Sequence, residues 1–228
     1  FGYEDDYSEI RGVADQKRQD IRNGLADEKS EADRESRRLE EEHDRLLQEI
    51  QELEQAEEVE PERPEAVVRN RELLREQGIP VLPFYKTIDF ADGMSAEQCS
   101  RLEAALYEMG ILDALVVSPD DRERILALDA AVCDRYLFTD ARHLQANLME
   151  LFQAEHAEND IVLTMQIQNL LSGIGYGIQE ETSTWIDENG HYRIGIVEGT
   201  VSSEYEAKFV GTTAREKHRL ACMDALRQ

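Results

Sequence analysis

The chain lacks most of the features that would name a chemistry outright. No apolar run approaches the roughly 18 residues a membrane helix needs, and no signal peptide opens it. Cys99, Cys133 and Cys222 are odd in number, far apart and never spaced as Cys-x-x-Cys, which points to the reduced thiols of a cytosolic protein and away from a disulfide framework or a zinc site. There is no Gly-x-Ser-x-Gly elbow, no His-Glu-x-x-His helix and no Walker lysine. Basic residues are scarce, at 25 Lys and Arg against 50 Asp and Glu, for a formal charge of −25. A surface that acidic repels DNA phosphates and anionic membranes unless bases are gathered locally. The first residue is Phe1 and the last lie inside a helical pattern, so a piece of a longer protein is expected.

What is present divides into an arm and a compact part. Leu25, Ala32, Leu39, Leu46 and Leu53 recur every seven residues with Ile50 between them, a sparse heptad seam among Glu, Arg and Asp. Lys29, Ser36 and His43 occupy other core positions, and Gly12 and Gly24 each cost about 1 kcal/mol relative to Ala, so the seam needs a partner helix or stands as a single solvated helix. Glu60-Pro61-Glu62-Arg63-Pro64 breaks it. A second helix is expected over 65–77, stopped by Gly78.

The spacing then predicts a first, edge strand over 84–90, because Pro83 cannot donate to a ladder. A helix follows, opened by the Ser95/Gln98 capping box and burying Cys99, Leu102, Ala105, Leu106 and Met109. The apolar, β-branched run 111–117 reads as a buried central strand, and strand, helix and strand together predict a parallel βαβ unit. Further on the pattern predicts a short helix over 120–128, a strand over 135–138, and helices over 140–152 and 159–171. Asn189-Gly190 between two strand-like runs predicts a hairpin, and Thr213 with Glu216 predicts a capped exit helix. The expected fold is an α/β domain, a small mixed sheet with flanking helices and a hairpin, inserted in an antiparallel coiled coil. Its parts are an arm at 1–60, a linker and short helix at 61–78, the α/β domain at 79–211 and the start of a return helix at 212–228.

Candidate sites are few. The glycines of 173–177 follow a helix, lack the G-x-G-x-x-G order and have no Lys-Ser or Lys-Thr behind them, which argues against a phosphate loop. His43, His143, His156, His191 and His218 fit no common metal set, and Asp120-Asp121 is better explained as a helix start than as a nuclease metal site. Lys208, Arg215, Lys217, Arg219 and Arg227 make a local basic excess that Arg69, Arg71 and Arg75 can join, either as a DNA-backbone patch or as solvated charge.

Three stretches carry a resemblance. Residues 102–121, Leu-Glu-Ala-Ala-Leu-Tyr-Glu-Met-Gly-Ile-Leu-Asp-Ala-Leu-Val-Val-Ser-Pro-Asp-Asp, with the hairpin of 185–195 and the Phe-Val-Gly-Thr-Thr-Ala-Arg-Glu-Lys-His-Arg run of 209–219, resemble the hinge of the MukB-related, SMC-like ATPases of bacterial anti-plasmid systems, the JetC subunits of Wadjet. Leu115 and Val117 depart from that pattern, where aromatic and Thr residues are common. The resemblance implies that this segment is a non-catalytic homodimerisation hinge of a DNA loop extruder acting in the bacterial cytoplasm on nucleoid or plasmid. ATP and Mg belong to heads outside it, and a kleisin, an accessory subunit and a nuclease subunit are the implied partners. The dimer face is expected at Leu171, Gly173, Ile174, Gly175, Tyr176 and Gly177, with Tyr192, Ile194 and Ile196 of the hairpin. A coiled-coil adaptor for another protein and a metal-dependent nuclease are the alternatives.

Overall fold

The structure, a computed structural model, describes residues 3–55, 60–128, 133–138, 143–155, 161–178 and 182–227, which divide into two units, the arm and a larger α/β unit. The arm is one helix, α1 (Tyr3–Gln55), of 53 residues, unbroken at Gly12 and Gly24. Leu25 and Leu39 of the seam are 61% and 53% exposed. Hydrogen bonds one turn apart, such as Gln19 to Asn23 and Gln48 to Glu52, line its surface.

The chain is not helical from 60 to 64, as two prolines require, and α2 (Glu65–Glu76) begins after Pro64, whose carbonyl accepts from the N–H groups of Val67 and Val68. The expected strand over 84–90 is corrected by the structure into three pieces: β1 (Leu82–Pro83), a 3-10 turn (Phe84–Lys86) and β2 (Ile88–Phe90). Phe84 and Tyr85 are wholly buried, and their N–H groups donate to the carbonyls of Ala114 and Leu112, which bends the chain away from a continuous strand.

Helix α3 (Ala96–Glu108) carries the capping box as expected, with both reciprocal Ser95 and Gln98 bonds formed. It stops at Gly110, whose φ of +70° only glycine adopts without strain, and the Ile111 N–H bonds back to the Leu106 carbonyl. The central strand β3 (Leu115–Val116) is shorter than 111–117, because 112 and 114 serve the 3-10 turn. The strand is a septum between two cores. Leu115 and Val117 pack with Leu74, Ile79 and Ile125, while Val116 faces the larger core of Phe84, Leu106, Ile167 and Phe209. A strand buried on both faces shows no polar alternation, which is how 111–117 reads in the sequence.

β3 pairs antiparallel with β1, which corrects the predicted parallel βαβ unit. Its parallel neighbour is β4 (Tyr136–Leu137), reached through a 3-10 turn (Pro119–Asp121) and α4 (Arg122–Leu126). The helix predicted over 140–152 is corrected for its described part. Residues 139–142 lie outside the described residues, and from 143 the chain runs through a 3-10 turn (Leu148–Glu150) into β5 (Phe152–Ala154), paired antiparallel with β2. Local helical bonding lost here to tertiary bonding, since the N–H groups of Leu144 and Leu148 donate to the carbonyls of Ser172 and Ile174.

The last third forms a four-stranded sheet. After α5 (Ile161–Ser172) come β6 (Gly175–Tyr176), β7 (Thr184–Ile186), β8 (His191–Ile194) and β9 (Val197–Thr200), in that order across the sheet. The predicted hairpin is β7–β8, but its turn is organised by Asp187, whose Oδ1 accepts from the N–H groups of Asn189 and His191. Helix α6 (Thr212–Leu226) begins one residue before Thr213, so Thr213 lies inside the first turn and not at its cap.

Candidate interaction edge

The sheet ends at β9. The Gly195-Ile196 turn joins β8 to β9 with Ile194 opposite Val197. The N–H of Val201 donates to the Gly190 carbonyl at 3.0 Å, so by the two-residue period of a strand Val197, Gly199 and Val201 turn their backbone groups toward β8. Glu198 and Thr200 turn theirs outward, where no strand among the described residues pairs with them. At the head of this open edge stands Ile196, 98% exposed, next to Val197 at 54%. An open edge with an apolar tip is a template for a further strand.

A buried polar group fixes what surrounds the edge. Glu103 lies in the buried stripe of α3 with no exposed surface, and its carboxylate accepts from the Tyr205 hydroxyl at 2.9 Å and from the N–H groups of Lys208, Phe209 and Val210 at 2.8–3.1 Å. Burial pushes this carboxyl above its ordinary value, against the pull of those donors. It ties the segment after β9 onto α3. A charged residue inside an otherwise apolar stripe was its signal in the sequence.

Asp113, half-buried, anchors the linker. It accepts from Arg63 at 2.7 and 2.8 Å and from Arg71, which also bonds Asp134 at 2.8 Å, so the linker and α2 are locked to the turn before β3. Partial burial works against ionising Glu60, yet Lys86 and Arg63 outweigh it and hold its carboxyl at about 2.

No protein-family model matches the chain, and no curated protein matches it. Among solved structures the chain is similar to the SMC hinge domain of Geobacillus stearothermophilus, described as an asymmetric dimer, at 15% identity and a TM-score of 0.42 over 82% of this chain and 84% of that one. It is likewise similar to the Pyrococcus furiosus Smc hinge domain with an extended coiled coil, at 16% identity and a TM-score of 0.40 over 83% and 72%.

The predicted dimer residues fall on different ground. Leu171, Ile174 and Gly175 are buried, and Gly173, Tyr176 and Gly177 are half-buried. The edge expected at this loop is covered, because Gly175 bridges to Asn147 and the Tyr176 N–H donates to the Ala146 carbonyl. The expectation of exposed glycines there is therefore corrected, the backbone bonds of 144–148 being what closes that side. Tyr192 and Ile194 are half-buried on the core face, and only Ile196 stands fully open.

The basic patch is corrected in part. Arg71 is 4% exposed and engaged with Asp113 and Asp134, while Arg215 is 1% exposed and donates to Glu155 at 2.7 Å and to the Phe209 carbonyl. Neither side chain presents itself to a DNA backbone. Arg69 pairs with Glu65, Lys208 lies over the rings of Tyr205 and Phe209, Arg219 is half-buried, and Arg75 and Lys217 are exposed. Asp120 and Asp121 sit in the 3-10 turn capped by Ser118, with Asp121 near Arg124 at 3.6 Å. Cys99, expected in the buried stripe of α3, is only half-buried, and that partial burial pushes its thiol up. Among the described residues no helix is long and apolar enough to cross a membrane.

Proposed function

We propose that this chain is the homodimerising hinge of an SMC-like protein. One observation carries the reading: the β9 edge is open and apolar at its tip, in an α/β unit whose other candidate edge is covered from within. A long charged helix preceding such a unit, and a helix following it, fit a hinge set on two arms.

The motifs at 102–121, 185–195 and 209–219 support the finer reading, a hinge of the MukB-related ATPases of Wadjet-type plasmid defence. In that reading ATP and Mg act at distant heads, DNA is engaged by the whole complex, and a kleisin, an accessory subunit and a nuclease subunit complete it.

Size-exclusion chromatography with light scattering tests the reading. A mass of two chains, falling to one only on dilution, is expected. A monomer at all concentrations overturns the hinge reading together with the finer one built on it, and favours a coiled-coil adaptor.

A further inference from the structure

We propose that the recess between α3, the segment after β9 and the start of α6 binds a small organic ammonium compound, with the cationic head at Asp89 and the apolar body against Phe90 and Val210. The site lies within one copy of the chain, so it stands apart from the hinge reading.

The recess holds about 560 Å³, the size of a small-molecule site, and the greater part of its surface is apolar. Its room comes from small side chains, Ala96 on α3, Ala207 on the segment and Ala214 on α6, one from each wall. The walls are fixed in advance. The Ala207 N–H donates to the Ser100 hydroxyl at 3.1 Å, and the Glu103 carboxylate fastens 208–210 onto α3, so a ligand has little ordering cost to meet.

Charge decides what such a recess holds. Of the charged side chains that line it, Glu97 and Arg101 pair with each other, and Arg101 also donates to the Glu188 carbonyl. Asp89, Glu206 and Lys217 have no ionic partner among the described residues. Glu206 and Lys217 are exposed, where water screens them. Asp89 is half-buried on β2, its Oδ1 accepting from the Phe90 N–H while its Oδ2 accepts from no described residue. It is therefore the group that gains most from a partner, and the partner it calls for is a cation. The net charge of −25 favours cations at every part of the surface. Phe90 and Tyr205 in the walls add aromatic rings, which attract an ammonium group more than a neutral head. An anion at the start of α6 would instead meet Asp89 itself, whose Oδ1 lies 2.2 Å from where a Gly211 Cβ would stand.

Calorimetric titration of the whole chain with benzylamine tests this, with benzyl alcohol and benzoate as its neutral and anionic counterparts. Benzylamine should bind about ten-fold or more tightly than either. Asp89→Asn keeps the acceptor for the Phe90 N–H and removes the charge. It should weaken benzylamine by about ten-fold or more while leaving the urea midpoint of tryptophan fluorescence in place. Lys217→Ala, on the exposed rim, should tighten benzylamine by removing a like charge, whereas an anion site requires the opposite. Cys99 lies in the wall, so in a variant carrying Cys133→Ala and Cys222→Ala it should react more slowly with an aromatic disulfide reagent when benzylamine is present. No binding of benzylamine, benzoate binding as tightly, an affinity unchanged by Asp89→Asn, or Cys99 reacting at one rate with and without benzylamine each overturns the site. The mass measured by light scattering decides the hinge reading separately.

Discussion

Arg71 illustrates how a single side chain holds the junction below the sheets. Its guanidinium, with 5% side-chain exposure, faces Asp113 and Asp134, the latter at 4%. Removing the cation leaves the buried Asp134 carboxylate without its ionic partner, while Asp113 keeps Arg63, and breaking a buried pair in this way costs about 3–5 kcal/mol. Arg71→Ala should therefore lower the urea midpoint of unfolding sharply. Arg69→Ala, two residues away at an exposed ion pair with Glu65, should cost no more than about 1 kcal/mol. Equal losses from the two variants would show that the Asp113 network contributes nothing special. Sequence reading placed both arginines on one helix and grouped them as candidate phosphate contacts. It had no means of separating them, because which face of α2 is covered depends on Asp113 and Asp134, distant in the chain.

At the scale of elements, the entry into α6 turns on Gly211. Its φ is +82°, a region that costs other residues about 1–3 kcal/mol, and a Cβ there would sit 2.2 Å from Oδ1 of Asp89. Gly211→Ala should destabilise the α/β unit by at least that amount in denaturant titration, whereas an Ala at Gly78, also at positive φ but with nothing within 4 Å, should cost only the backbone strain. Equal effects would mean that the approach of Asp89 is not rigid. The capping box of α3 was legible because both partners lie within one turn of each other. The cap of the exit helix was misplaced because Thr213 and Glu216 imitate that local pattern, while the chain turns at Gly211 beside Asp89 on β2.

For the whole molecule, two units with different supports predict two different responses to heat. Nearly half of the helical residues lie in the 53-residue arm, whose stability comes from exposed pairs worth a few tenths of a kcal/mol each. Trp185, the single tryptophan, is 6% exposed in β7 and reports on the α/β unit alone. Far-ultraviolet circular dichroism should accordingly lose a first part of its signal, about half, gradually and at lower temperature than the cooperative change in tryptophan fluorescence, and the rest with that change. Coincident transitions by the two probes would show that arm and α/β unit unfold as one.

By itself the sequence determined the arm, the proline break, the buried strand at β3, the capped helix before it and the β7–β8 hairpin. All of these are set by contacts within a turn or two of the chain, or by apolar content that any fold must bury. The tertiary structure alone decided which edge of the last sheet stays open. The glycine run at 173–177 looked exposed because glycine permits close approach, and the structure supplies the approaching backbone from 144–148. β9 drew no expectation because Val-Glu-Gly-Thr is too short and too polar to declare itself, yet β8 offers it a ladder and no described strand offers it a second. Backbone hydrogen bonds are the same for every residue type, so the sequence says little about where they are left unmade.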